Sequence, residues 1–166
     1  IWTLGRYHHN FFKETLMQLT PFFTYYANLT TSLEVGVGPF GNRLIVEVDG
    51  GEFEGEGFKG KIRSAAGADW LTLTEKFGHL DVRVTFETSD GALIFVEYTG
   101  KLELTDPVLR SLQGDGGTEY GDQYFFTSPR MQTGHSDYEW VNNLVCLARG
   151  KIRPGRVDYE VFKVEN

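Results

Sequence analysis

The sequence predicts an all-β fold: a single antiparallel up-and-down barrel of about eight to ten strands with one or two short helices. Three observations carry that expectation. Aromatic residues make up 14% of the chain, with 13 Phe and 8 Tyr, and the large side chains alternate with polar ones as strands require. Turn residues recur at hairpin-length intervals. The tract from Gly50 to Trp70, GGEFEGEGFKGKIRSAAGADW, sets glycines among β-formers. Glycine at that density weakens a flat sheet, because it packs nothing and loosens the backbone, so it marks bulges and tight bends. A sheet curling to closure needs such bends, which favours a barrel over the rival two-sheet sandwich.

The elements follow in order. Residues 1–20 contain Trp2, Leu4, Phe11 and Phe12, and NFFKETLMQL reads as a short amphipathic helix that lids or plugs something. The barrel is expected over residues 22–164. From Phe22 to Val35 the β-formers Phe23, Tyr25, Ala27, Leu29, Thr31 and Leu33 share one parity, and Gly36, Gly38, Pro39 and Gly41 break the strand. Short strands follow at Arg43–Val48, Phe53–Gly55, Gly57–Arg63 and Asp69–Thr74. Leu80 to Thr88 alternates most cleanly, with Leu80, Val82, Val84 and Phe86 against Asp81, Arg83, Thr85 and Glu87. Asp90-Gly91 turns it into a returning strand, Ala92 to Leu104. Asp106-Pro107 opens a short helix to about Gln113, and the glycine-rich loop GDGGTEYGDQ follows. Tyr124–Thr133, Trp140–Ile152 and Val157–Val164 complete the strands, the last two joined by a turn at Arg153-Pro154-Gly155-Arg156. No internal repeat is present.

At 166 residues and 40% hydrophobic content, the chain supports one domain over residues 1–166 with a sizeable core. A net charge of −7 repels phosphate backbones, and no basic cluster relieves it, so nucleic acid is not an expected partner. No apolar run approaches the roughly 20 residues that cross a bilayer as a helix. The chain starts at Ile1 rather than Met, as expected of one that has lost leading residues. The sequon Asn28-Leu29-Thr30 would carry a glycan at Asn28 if the chain enters a secretory pathway; otherwise a cytoplasmic location is expected. Cys146, the single cysteine, sits among Leu144, Val145 and Leu147 and reads as a buried, inert thiol.

Cofactor and metal chemistry leave no signature. His8, His9, His79 and His135 have no ligand spacing to one another or to Cys146, so no metal is expected. No nucleophile elbow or phosphate loop occurs. Gly36-x-Gly38-x-x-Gly41 copies the dinucleotide spacing without the strand-helix-strand setting that gives it meaning. No cofactor is expected.

A family resemblance enters through Gly50-Gly51-x-Phe53-x-Gly55, Gly60, Gly67-Ala68-Asp69-Trp70, Leu80-Asp81-x-Arg83, Thr88-x-Asp90-Gly91 and Ile94. A second block comprises Tyr124-Phe125-Phe126, Pro129, Thr133-Gly134, Tyr138-x-Trp140 and Asn142. Together they resemble the family known as domain of unknown function 3237, over about Thr24 to Val164. The resemblance implies a small β-barrel and, through fungal relatives in natural-product pathways, cyclisation or isomerisation of a reactive intermediate. Where that family commonly carries Pro-Gly before the Gly-Ala-Asp-Trp block, this chain has Ala65-Ala66, so the loop has its own shape.

Alternation alone assigns Leu80, Val82, Val84 and Phe86 to the core and leaves Asp81, Arg83, Thr85 and Glu87 to solvent. The resemblance at Asp81 and Arg83 tips the expectation the other way, because exposed strand charges are rarely fixed in type. The polar strip is then expected to line the cavity, with Asp81 and Arg83 paired. The candidate catalytic residues are Arg83, Asp69, Asp81 and Tyr138, with Arg83 or Tyr138 binding a substrate oxygen and the two aspartates holding those donors. Trp70, Thr85, Tyr98, Trp140 and Asn142 are the candidate substrate-binding residues.

Two functions fit. One is a cofactor-independent cyclase or isomerase of secondary metabolism, including a (hetero-)Diels–Alderase that joins an apolar terpenoid or polyketide to a polar electrophile. Confinement of two reactants is worth about 7–11 kcal/mol. The other is a carrier of the lipocalin or calycin kind that binds a small hydrophobic molecule without changing it. Homodimerisation through an aromatic outer face is a further expectation.

Overall fold

Alternation gives each strand one apolar face, and closing that face on itself removes it from water while leaving no exposed sheet edge in the closed wall. The computed structural model describes residues 16–166. The strands are β1 (Gln18–Gly38), β2 (Gly41–Gly55), β3 (Phe58–Asp69), β4 (Thr72–Leu73), β5 (Phe77–Thr88) and β6 (Leu93–Glu103). Helix α1 (Asp106–Leu112) follows, then β7 (Phe125–Thr127), β8 (Arg130–Gln132), a 3-10 helix (Ser136–Asn143), β9 (Cys146–Arg153) and β10 (Arg156–Glu165). Eight strands close the circuit β1-β2-β3-β5-β6-β7-β9-β10, every neighbouring pair antiparallel. The short β4 joins β2 to β5 at one rim, and β8 adds to β6.

Several boundaries differ from expectation for identifiable reasons. The strands expected at Arg43–Val48 and Phe53–Gly55 are one continuous β2, because Gly50 and Gly51, at φ +83° and +142°, bend it without ending it. The expected Tyr124–Thr133 strand divides into β7 and β8 around Ser128-Pro129, where proline cannot donate to a ladder. Trp140 begins no strand. It lies in the 3-10 helix, whose start is capped by the His135 side chain accepting from the Asp137 amide, and β9 begins only at Cys146. The expected N-terminal helix falls mostly outside the described residues, and Gln18 and Leu19 at its end belong to β1. At the β5–β6 turn only Gly91 takes a positive φ, +92°. Helix α1 matches its expectation, with Pro107 in the first turn and the Thr105 side chain accepting from the Val108 amide.

The interior has two unlike ends. One is plugged by aromatic side chains: Phe53 stacks on Phe86 with ring centres 4.6 Å apart, and Phe23 and Phe58 meet edge to face at 5.1 Å. The other end is the mouth, where β10 stops pairing at Arg156 opposite Asn28 while β1 and β2 run on together to Gly38 and Gly41. Cys146 is buried and its thiol is pushed up to about 11 by that burial, as an inert core residue requires.

The glycines of the sequence tract sit where strands cross closely. A Cβ on Gly60 would lie 2.1 Å from the Glu87 carbonyl oxygen and 2.7 Å from the Thr88 Cα, both backbone atoms of the neighbouring β5. Gly60→Ala therefore has to push two paired strands apart. The expected cost is about 1–3 kcal/mol in urea unfolding; a neutral result would show that β3 and β5 separate freely there.

Candidate functional site

Strand parity decides which side chains meet inside the barrel. On β5, Leu80, Val82, Val84 and Phe86 point inward and are 6%, 2%, 2% and 0% exposed. This corrects the expectation for the polar strip: Asp81, Arg83, Thr85 and Glu87 occupy the outer face. Burying each apolar side chain contributes about 1.5–3 kcal/mol, whereas an enclosed ion pair costs several kcal/mol per ion in lost hydration.

Asp69 is the exception that turns inward. It pairs with Val46 on β2 and Val82 on β5, and residues directly opposite in a ladder share a face. It reaches a cavity of about 70 Å³ near the mouth, walled by apolar residues such as Leu71, Leu80, Leu102 and Val157. Leu112 of α1, half exposed, also lines the cavity and marks its opening. The polar groups of the lining are Asp69, Tyr98 and Tyr159. Tyr159 stacks on Tyr25 at 4.7 Å and meets Tyr98 edge to face at 5.7 Å, so three phenols gather below the cavity.

The electrostatics follow from this enclosure. Burial pushes the Asp69 carboxyl up to about 7. The Asp81 amide, donating to Oδ1 at 3.0 Å, and the charge of Arg43 work against that rise, while the Asp81 carboxylate adds to it. Burial likewise pushes Tyr98 up to about 12 and raises Tyr25 and Tyr159, so all three phenols stay neutral at physiological pH. Asp69 thus exchanges a proton near neutrality, with a neutral hydroxyl donor beside it.

The other candidates lie elsewhere. Arg83 pairs with Asp81 at 3.2 Å and stacks 5.1 Å over the Trp70 ring, all on the outer wall. Its side chain and that of Asp81 are each 45% exposed, so the pair contributes about 0–1 kcal/mol. Trp70 and Arg83 border a groove of about 510 Å³ where β3 bulges away from β5. Ala65 in that bulge holds φ +54°, the one positive value of a non-glycine residue among the described residues. The cluster backs directly onto Asp69: Trp70 donates its amide to the Asp81 carbonyl at 2.9 Å, and Arg43 donates to the Trp70 carbonyl. Asp81 therefore acts on Asp69 through its backbone amide and, more weakly, through the charge of its carboxylate, as a positioning residue.

Tyr138, Trp140 and Asn142 sit at the plugged end, away from Asp69. Tyr138 donates to Asp90 Oδ1 at 2.9 Å, which ties the 3-10 helix to the β5–β6 turn. Trp140 packs on Phe22 and Phe58, and its indole donates to the Asp137 carbonyl at 3.1 Å. Asn142 clamps Thr133 through two backbone hydrogen bonds of 2.8 and 2.9 Å. Asn28 is exposed on β1. Of the sequence candidates, then, Asp69 and Tyr98 meet in the cavity. Tyr25, Tyr159 and Leu112 were missed, although the tyrosines carry a signal: each occupies a core parity position between apolar neighbours.

Among the described residues no cluster of three or more His, Cys, Asp or Glu could hold a metal ion, and no helix is long and apolar enough to cross a membrane.

Comparison with known proteins follows the same outline. A UPF0311 protein of Rhodopseudomonas palustris is 31% identical over 138 residues, 82% of this chain and 88% of its own length. Its crystal structure, described as that of a conserved protein of unknown function, superposes with a TM-score of 0.81, covering 90% of this chain and 99% of that one. A β-barrel-like protein from Acinetobacter baumannii, 27% identical, gives a TM-score of 0.78 over 93% of this chain and 99% of its own. The same barrel occurs in a protein described as an enzyme from Penicillium herquei, at 17% identity and a TM-score of 0.65 over 92% and 98% of the two chains. The family model for proteins of unknown function DUF3237 matches residues 17–164, and this chain belongs to that family.

Proposed function

We propose that the protein is a cofactor-independent isomerase or cyclase that acts on a small apolar molecule held in the barrel mouth. The observation that carries this reading is the Asp69 carboxyl, enclosed in an apolar cavity, holding its proton to about pH 7 and lying among neutral phenols. With Oδ1 engaged by the Asp81 amide, Oδ2 is the oxygen that meets substrate. In its ionised form Asp69 takes a proton from carbon or oxygen; once protonated, it returns that proton elsewhere on the same molecule. Tyr98 donates to the substrate oxygen on which charge develops. General acid–base transfer of this kind contributes about 10²–10⁴ in rate, and one well-placed oxyanion donor about 10²–10³. A carboxyl with raised pKa beside tyrosine hydroxyls is a recurrent arrangement for moving protons next to a carbonyl.

The cycloaddition of an apolar terpenoid with a polar electrophile belongs to the same proposal. There the cavity of about 70 Å³ is too small for both partners, so it takes only the polar group of the electron-poor one, whose donor is Tyr98 or protonated Asp69 rather than Arg83. The test begins with apolar ketones, acetophenone first, incubated with the protein in D2O. Deuterium should enter the carbon next to the carbonyl roughly a hundredfold faster than in buffer. A ketone that binds without accelerated exchange, or a molecule co-purified from the source and released unchanged, would replace the catalyst with a carrier.

A further inference from the structure

With the barrel interior taken as the functional site of the preceding proposal, we infer that it admits only uncharged molecules, recognises one carbonyl or hydroxyl oxygen, and rejects carboxylates. Among the described residues the lining contains no Lys, Arg or His. The cation that acts on Asp69 from nearby, Arg43, directs its guanidinium to the Trp70 carbonyl. An acid carried into this cavity would meet a second carboxyl and no countercharge, and an unpaired buried charge is the costliest group to enclose.

A neutral oxygen, by contrast, answers a local need. The Tyr25 hydroxyl is buried, and among the described residues it makes no well-formed hydrogen bond, the Tyr98 hydroxyl being the polar group set against it. It lies against Tyr98 and Tyr159, the two phenols that line the cavity. A ligand carbonyl that accepts from Tyr98 leaves the Tyr98 oxygen to accept from Tyr25, so one neutral acceptor organises the chain of hydroxyls. A carboxylate could accept the same bonds only by bringing its charge beside Asp69.

The matched probes are acetophenone and benzoate, which share a phenyl ring and differ in charge, titrated at pH 8 by protein chemical shifts. Acetophenone should bind at least about tenfold more tightly. Asp69→Asn should narrow that gap by admitting benzoate. Tyr25→Phe should weaken acetophenone about threefold or more while thermal unfolding shows an intact fold, a split that a purely structural tyrosine would not give. Benzoate binding as tightly as acetophenone, or neither probe binding at millimolar concentration, overturns the inference. Selective binding without deuterium exchange defeats the catalytic reading and leaves the selectivity standing; exchange with equal binding of the two probes does the reverse.

Discussion

Replacing Asp69 by asparagine should make the protein more stable at pH 8 and abolish its proton-transfer activity. Both outcomes have one cause. In the unfolded chain this carboxyl ionises near 3.8, whereas burial in the fold holds its proton to about 7. Between those values the folded state binds the proton and the unfolded state does not, so stability is fully present below about pH 4 and is lost as pH rises through 7. The full difference amounts to roughly 4 kcal/mol by pH 8. Asparagine keeps an oxygen for the Asp81 amide and carries no charge, so the variant lacks this dependence. Urea titrations of both proteins at pH 5 and pH 8 capture roughly 3 kcal/mol of it, because every other titrating group largely cancels in the comparison. Deuterium exchange into a bound ketone should fall at least a hundredfold in the variant. A difference in pH dependence under about 1 kcal/mol would mean that Asp69 ionises normally, and the proposed chemistry would go with it.

Phe86→Ala should cost about 3–5 kcal/mol, a large share of the stability of a domain this size. Phe86 is fully buried, stacks on Phe53, and meets Tyr25 edge to face at 5.4 Å and Phe23 at 6.2 Å. Truncation deletes the ring and leaves a void among stiff aromatic neighbours that cannot all collapse into it. Phe86→Leu should recover part of the loss by refilling volume without the ring contacts. Guanidinium or urea midpoints read both variants. A loss under about 1.5 kcal/mol for the alanine would show that the plug repacks, and that it gives the tyrosine layer no rigid support.

Much of the architecture is legible because it rests on short-range chemistry. Alternation from Leu80 to Thr88, the Asp90-Gly91 turn and the Pro-initiated helix at Asp106 depend on neighbouring residues, and each is present in the fold. The boundaries that moved are those where a longer-range partner decides. Gly50-Gly51 reads locally as a break, yet pairing with β1 and β3 on either side carries β2 through it. Trp140 reads as a β-former, yet its ring is drawn onto Phe22 and Phe58 from a 3-10 helix.

The candidate site divides in the same way. Asp69, Trp70, Asp81 and Arg83 do form a connected group, but the barrel wall runs through it, with Asp69 inside and the other side chains outside.

By itself the sequence determined the all-β class, the Leu80–Thr88 strand with its Asp90-Gly91 turn, and the residue types able to move a proton, since each follows from spacing and side-chain chemistry. Only the tertiary structure decided that Asp69 faces inward among Tyr25, Tyr98 and Tyr159 while Arg83 faces out. Two bulges, at Glu47/Asp49 and Ile62/Ala68, shift the register of β3 against both neighbours. A one-residue shift reverses which side chains a strand buries, and no local pattern records where it falls.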